Sequence, residues 1–143
     1  MKASLQTLDA MLNDNGHSET DGMILKMDVE GCEWDVLDSI SKNILSHFDQ
    51  IVLEIHFILT SRDKGQILRC LDKLSCTHDI VHLHANNTCK VVYMNKYIIP
   101  DVLEITYLKK GYCKLKPMVD MLPRTMDKAS TVRLPEIKLG KWN

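Results

Sequence analysis

The spacing of apolar residues along this chain changes several times, and each change predicts an element. Leu5, Leu8, Met11 and Leu12 recur at helical intervals behind Ser4, a good N-cap, which predicts a helix over residues 4–13. The stretch from Asn13 to Gly22 is polar and turn-rich and reads as a loop. Met23 to Val29 (MILKMDV) is an apolar run broken only by Lys26, which predicts a short buried strand. Beyond it Val36, Ile40 and Ile44 stand four apart, with Trp34, Leu37 and Leu45 beside them, so one helix is expected over roughly 33–46.

The alternation then repeats. Residues 50–57 (QIVLEIHF) return to a strand pattern. Asp63 followed by Gln66 resembles a capping box, and Ile67, Leu68, Leu71 and Leu74 continue on one face, predicting a helix near 63–75. Residues 79–85 (DIVHLHA) read as a third strand, and 89–94 and 102–109 as further strands separated by Pro100. After Lys110 the periodicity fades. Pro117, Pro123 and Pro135 punctuate an irregular segment, with a single helical turn open at residues 118–122. Strands alternating with helices predict an α/β fold, parallel strands with flanking helices. The late strands leave no room for a crossover helix and should pair antiparallel.

The strongest chemical signal lies where the first strand gives way to a helix, at Leu25-Lys26-Met27-Asp28-Val29-Glu30-Gly31-Cys32-Glu33-Trp34. Open α/β sheets bind ligands outside the carboxyl ends of their strands. Asp28 and Glu30, two apart at that edge, would point to one side in extended backbone. Gly31 permits the tight turn, and Glu33 near the helix start suits the macrodipole. The plainer reading is that Asp28 and Glu30 only cap the helix. The next strand repeats the arrangement with Glu54 and His56, and an acid inside the apolar run 51–55 is costly unless paired. Glu54 and His56 can act as a base or orient a hydroxyl or amine. His56 can equally be a satisfied edge histidine.

The third strand offers His82, His84, Asn86 and Asn87. The two asparagines read as a turn, with substrate contact as the sharper alternative. Metal ligation by the acids with His56, or by His82 and His84, lacks any ligand spacing, so no metal site is assigned. Cys32 reads as a small packing residue in preference to a reactive thiol.

Composition narrows the class. A net charge of -1 argues against a dedicated nucleic-acid partner. The charge is uneven, with 9 Lys+Arg against 16 Asp+Glu in residues 1–108 and 9 against 3 in residues 109–143. A basic tail folding back on an acidic body is the simplest account. Five cysteines in irregular spacing fit reduced thiols and a cytoplasmic setting by default, without excluding a disulfide in a secretory parent protein. No run of about 18 apolar residues exists that would span a membrane. The six glycines are isolated, so there is no dinucleotide fingerprint, phosphate loop or nucleophile elbow.

The segment Leu25 to Leu37, with Ser4-Leu5-x-x-Leu8 before it, resembles the FkbM-type methyltransferases and, more closely, their animal methyltransferase-like relatives. So do Phe48 to His56, His84-Ala85-Asn86-Asn87, and Pro100-x-Val102-Leu103-Glu104-Ile105-Thr106-Tyr107. The resemblance covers residues 4–110 and least of all the tail. It implies a partial Rossmann-like class I sheet, with 23–29 as strand four, 50–57 as strand five, and 79–85 and 102–109 as a late antiparallel pair. Residues 1–110 would be the C-terminal half of the domain and 111–143 a basic, largely irregular tail. It implies S-adenosylmethionine as cofactor, with Asp28 at the methyl-transfer side and Glu30 beside it, and transfer to an O or N nucleophile. The glycine-rich cofactor loop has no counterpart, so the resemblance implies a chain weakly active or inactive alone. A strand-four edge left open would favour self-association or a partner chain. The alternative is a non-catalytic binding or regulatory module that keeps half of the fold.

Overall fold

A computed structural model describes residues 6–117 and 119–141. The elements run α1 (Leu8–Asp14), β1 (Met23–Met27), α2 (Glu33–Ser39), α3 (Lys42–Leu45), β2 (Phe48–Ile55), α4 (Lys64–Thr77), β3 (His78–Ala85), β4 (Val91–Met94), β5 (Tyr97–Pro100) and β6 (Leu103–Lys109). Thr7 caps α1, its side chain accepting from the Ala10 N–H, so Gln6 and Thr7 precede the helix. The expected start at Ser4 lies outside the described residues.

The expected helix over 33–46 is two helices. Ile40 is extended (φ −71°, ψ 140°), and the Ser41 hydroxyl accepts from the Ile44 N–H to start α3. Serine competes well for this role because its short side chain reaches the backbone two or three residues on. The carbonyls at the end of α2 find a partner from another helix. The Lys73 ammonium in α4 donates to the carbonyls of Leu37, Asp38 and Ile40, each at 2.8 Å. Asp63 caps α4 as its sequence suggests, accepting from the Gln66 N–H at 2.9 Å.

The main sheet has the order β1-β2-β6-β3. β1 and β2 are parallel, while β6 lies antiparallel to both β2 and β3, so the sheet is mixed. The late antiparallel pair is therefore β3 with β6. Residues 91–94 take no part in it and instead form a hairpin with β5, a strand the sequence pattern does not declare. Pro100 sits at the end of β5, where a missing N–H costs least.

Alternation sorts the two sheet faces. Ile51, Leu53 and Ile55 of β2, Leu103, Ile105 and Tyr107 of β6, and Leu83 and Ala85 of β3 are buried and lie opposite one another in register. They form one core with Leu12, Trp34, Leu37, Leu45, Ile67, Cys70 and Leu74 from the helices. Burial lifts the Cys70 thiol to a pKa of about 11, and its S–H donates to the Trp34 carbonyl. The other face carries Glu54, Glu104 and His84 in adjacent register positions.

β1 departs from the expected buried strand. Only Met27 is buried, whereas Ile24 and Lys26 are exposed, because β1 stands at the sheet edge and pairs only with β2 among the described residues. Beyond β6 the described chain has no helix, including at 119–122, and its one pairing is the bridge Leu122↔Gly140. Leu122 and Leu139 nevertheless join the core. The segment from residue 109 meets the body through charges of both signs: Lys109 and Lys110 pair with Asp49 and Asp79 at 3.9 and 3.8 Å, while Asp127 pairs with His82 at 3.0 Å and Glu136 with His84 at 3.3 Å. No helix of the described residues is long and apolar enough to cross a membrane.

A candidate active site at the carboxyl ends of two parallel strands

Because β1 and β2 are parallel neighbours, the loops leaving them emerge at the same edge. The first loop, residues 28–32, is a tight turn in which Glu30 (φ 53°) and Gly31 (φ 108°) both take left-handed backbone. Asp28 and Glu30 are thus brought together by a turn and not by extended backbone. A non-glycine residue held at positive φ costs of order 1–3 kcal/mol and marks a conformation imposed by its surroundings.

Glu33 imposes it. Its carboxylate is fully buried, accepting from the Val29 N–H (2.8 Å) and the Gly31 N–H (3.1 Å) and from the ring of His56 through Nδ1 (3.1 Å). Burial alone would raise its pKa. The backbone N–H groups of Val29, Glu33 and Gly31 and the His56 ring outweigh that, so the group is held below the ordinary carboxylate range. The second loop is locked to the first twice more. Trp34 Nε1 donates to the His56 carbonyl at 2.7 Å, and the Phe57 ring lies against Gly31 so closely that an added Cβ would meet Cε2 at 2.3 Å.

The result is a cluster of Asp28, Glu30 and His56 whose ligand-type atoms all lie within 4.8 Å of one another. The Asp28 side chain is 38% exposed, that of Glu30 87% and that of His56 10%. His56 Nε2 faces Glu30 at 3.6 Å, and Lys26 stands 3.9 Å from Asp28. Cys32, expected to pack inside, is exposed at the start of α2 and makes no side-chain cap bond, since Glu33 takes the loop N–H groups.

Glu54 belongs to a different group. It accepts from Asn86 Nδ2 at 2.9 Å, while Asn86 Oδ1 accepts from the Thr88 N–H and hydroxyl, closing the turn expected there. Next to it His84, buried, lies between Glu104 (3.2 Å) and Glu136 (3.3 Å). Asn87 is also buried, donating to the carbonyls of Thr131 and Leu134 and accepting from the Thr131 N–H, so its amide fastens the tail.

A family model, the methyltransferase FkbM domain, matches residues 1–87, more than half of the 143-residue chain. The chain belongs to the FkbM methyltransferase family. Comparison with curated proteins and with solved structures gives no match. The family match includes the loop at 28–33, the strand leading to Glu54 and His56, and Asn86 and Asn87. It stops short of β4, β5, β6 and the tail.

Two residues of consequence escape sequence reasoning. Glu33 carries only a helix-start signal, and its distance of two and four residues from Gly31 and Val29 acquires meaning only in the folded turn. Asp101 is a second buried staple, accepting from the N–H groups of Leu59 and Thr60 and from the Thr60 hydroxyl, which fixes the chain after β2.

The His84 clasp predicts a pH dependence. Burial disfavours the imidazolium, but Glu104 and Glu136 outweigh it, so the pKa is raised above 6.5. The stability it contributes is fully present below pH 6.5 and is lost as pH rises through the raised value. Urea unfolding of wild type and His84→Gln should show the wild-type advantage at pH 6 shrinking as pH rises above 6.5. An advantage that is constant or grows with pH contradicts the clasp.

Proposed function

We propose that this chain forms the acceptor side of a class I, S-adenosylmethionine-dependent methyltransferase domain, and that alone it binds the cofactor weakly. The observation that carries this reading is the convergence of Asp28, Glu30 and His56 at the shared carboxyl edge of β1 and β2. On this reading β1 and β2 are strands four and five, and β3 with β6 the later pair. The sheet order supports that numbering. Residues 1–110 are the methyltransferase-derived body and 111–143 an appended tail.

The residues fit only one end of the cofactor. Asp28, partly exposed at the tip of β1, can receive its reactive end. The sequence has no glycine-rich loop to cradle the remainder. When bound, the cofactor supplies an electrophilic methyl group to an O or N nucleophile. The chain's own residues hold that nucleophile in line and accept its proton, effects worth respectively up to about 7–11 kcal/mol and about 10²–10⁴-fold. Asp28 is the proton acceptor, with His56 beside it and Glu30 at the open rim. The Glu54–Asn86 pair orients the acceptor's hydroxyl or amine, and Asn87 keeps Asn86 in place through the tail. The exposed Ile24 on the open β1 edge is where a partner chain, or a second copy, adds to the sheet.

Calorimetric titration of the chain with S-adenosylmethionine tests the cofactor half of this proposal. The expected dissociation constant is weaker than about 100 µM, corresponding to less than about 5.5 kcal/mol. Low-micromolar binding by the chain alone overturns the weak-binding reading.

A further inference from the structure

We infer that Asp28, Glu30 and His56 form a binding site for one divalent first-row cation. No ligand spacing along the chain suggests it, because the donors come from two loops separated by α2, α3 and β2. The fold brings them within 4.8 Å of one another. Two ligands of one ion, bound at roughly 2.0–2.2 Å each, stand at most about 4.4 Å apart. Adjacent ligands stand closer than that, so the cluster closes on an ion after movement of up to about 1–2 Å, and Glu30, 87% exposed, is free to make it.

The second observation is the state of His56. Its side chain is nine-tenths buried, and one ring nitrogen is committed: Glu33, already accepting from two backbone N–H groups, is an acceptor, so Nδ1 donates to it. Nε2 is then the ring nitrogen that faces the cluster. Among the described residues Nε2 makes no hydrogen bond, and it faces Glu30 Oε2 at 3.6 Å. A ring nitrogen that faces two carboxylates is balanced by a cation between them, either a proton or a metal ion. A carboxylate behind a histidine, orienting it from its second nitrogen, is also the arrangement that metal-ligating histidines use. The local charge asks for the same thing: among the described residues, the lysine or arginine paired with the three carboxylates (Asp28, Glu30, Glu33) is Lys26, 3.9 Å from Asp28.

Two carboxylate oxygens with one imidazole nitrogen suit a first-row divalent ion such as Mn²⁺ more than Ca²⁺, which takes oxygen ligands alone, or a structural zinc, which favours thiolates. Three protein donors leave positions open. An acceptor hydroxyl bound there would lose its proton more readily. That last role rests on the methyl-transfer reading; the binding of the ion does not.

The test uses the full chain and Mn²⁺ alone, without S-adenosylmethionine, so its outcome is separate from that of the cofactor titration. Calorimetry should give one Mn²⁺ per chain with a dissociation constant below about 1 mM. Paramagnetic broadening should reach the His56 ring protons first. Glu30→Gln, at an exposed position that leaves folding intact, should weaken binding at least tenfold, and Asp28→Asn likewise. Glu19→Gln, an exposed acid elsewhere, should leave it unchanged. The inference is overturned if no saturable binding occurs below about 1 mM, if Glu30→Gln and Asp28→Asn both bind as wild type does, or if broadening centres away from His56.

Discussion

Glu33→Ala is expected to destabilise the chain by about 3–5 kcal/mol, the usual consequence of removing one member of a buried, hydrogen-bonded charge group. The side chain is fully buried, and its loss leaves the N–H groups of Val29 and Gly31 and the Nδ1 of His56 without their acceptor. Each buried donor left unmet costs about 1–3 kcal/mol, although relaxation of the loop toward water recovers part of that. Glu33→Gln keeps the shape and one acceptor oxygen, so its loss should be smaller. Urea unfolding monitored by far-ultraviolet circular dichroism gives both values. A loss below about 1 kcal/mol for the alanine variant would mean that the loop does not depend on this carboxylate.

Gly31→Ala should cost about 2–4 kcal/mol through two separable causes. The backbone at φ 108° is strained for any L side chain, and the new Cβ would stand 2.3 Å from Phe57 Cε2. The double variant Gly31→Ala with Phe57→Ala removes the collision and keeps the backbone strain. Relative to Phe57→Ala alone, the glycine substitution should therefore cost less than it does in wild type. Equal costs in the two backgrounds would show that Phe57 swings aside freely and that the two loops are not packed against each other.

The alternation of strands and helices was legible because period-2 and period-3.6 stripes depend only on which face is buried. Breaks within a stripe were not. Val36, Ile40 and Ile44 keep helical spacing across the point where Ser41 starts a new helix, and the ammonium that receives the freed carbonyls comes from Lys73, far along the chain. Of the β4–β5 hairpin only the first strand was legible, since β5 is four residues, Tyr97–Pro100, with no alternation of apolar and polar positions. The apolar run at 23–27 could not reveal an edge strand, because edge position depends on what pairs beside it.

The candidate site divides in the same way. Asp28, Glu30 and His56 could be picked out because polar groups at the ends of predicted strands are conspicuous. Glu54 could be noticed as an acid in an apolar run, but its partner Asn86 comes from a different strand end. The part played by Glu33 was invisible, since it consists entirely of bonds to a turn that exists only once folded.

We propose that the edge formed by residues 28–31 and 56–57 is the reaction edge of this FkbM-family methyltransferase domain. It is tested most directly by adding millimolar S-adenosylmethionine to the isotopically labelled chain and following every backbone amide resonance. Rapidly exchanging shifts should be concentrated at residues 28–31 and at His56 and Phe57. Unmoved amides at those positions, whether or not others respond, would contradict it.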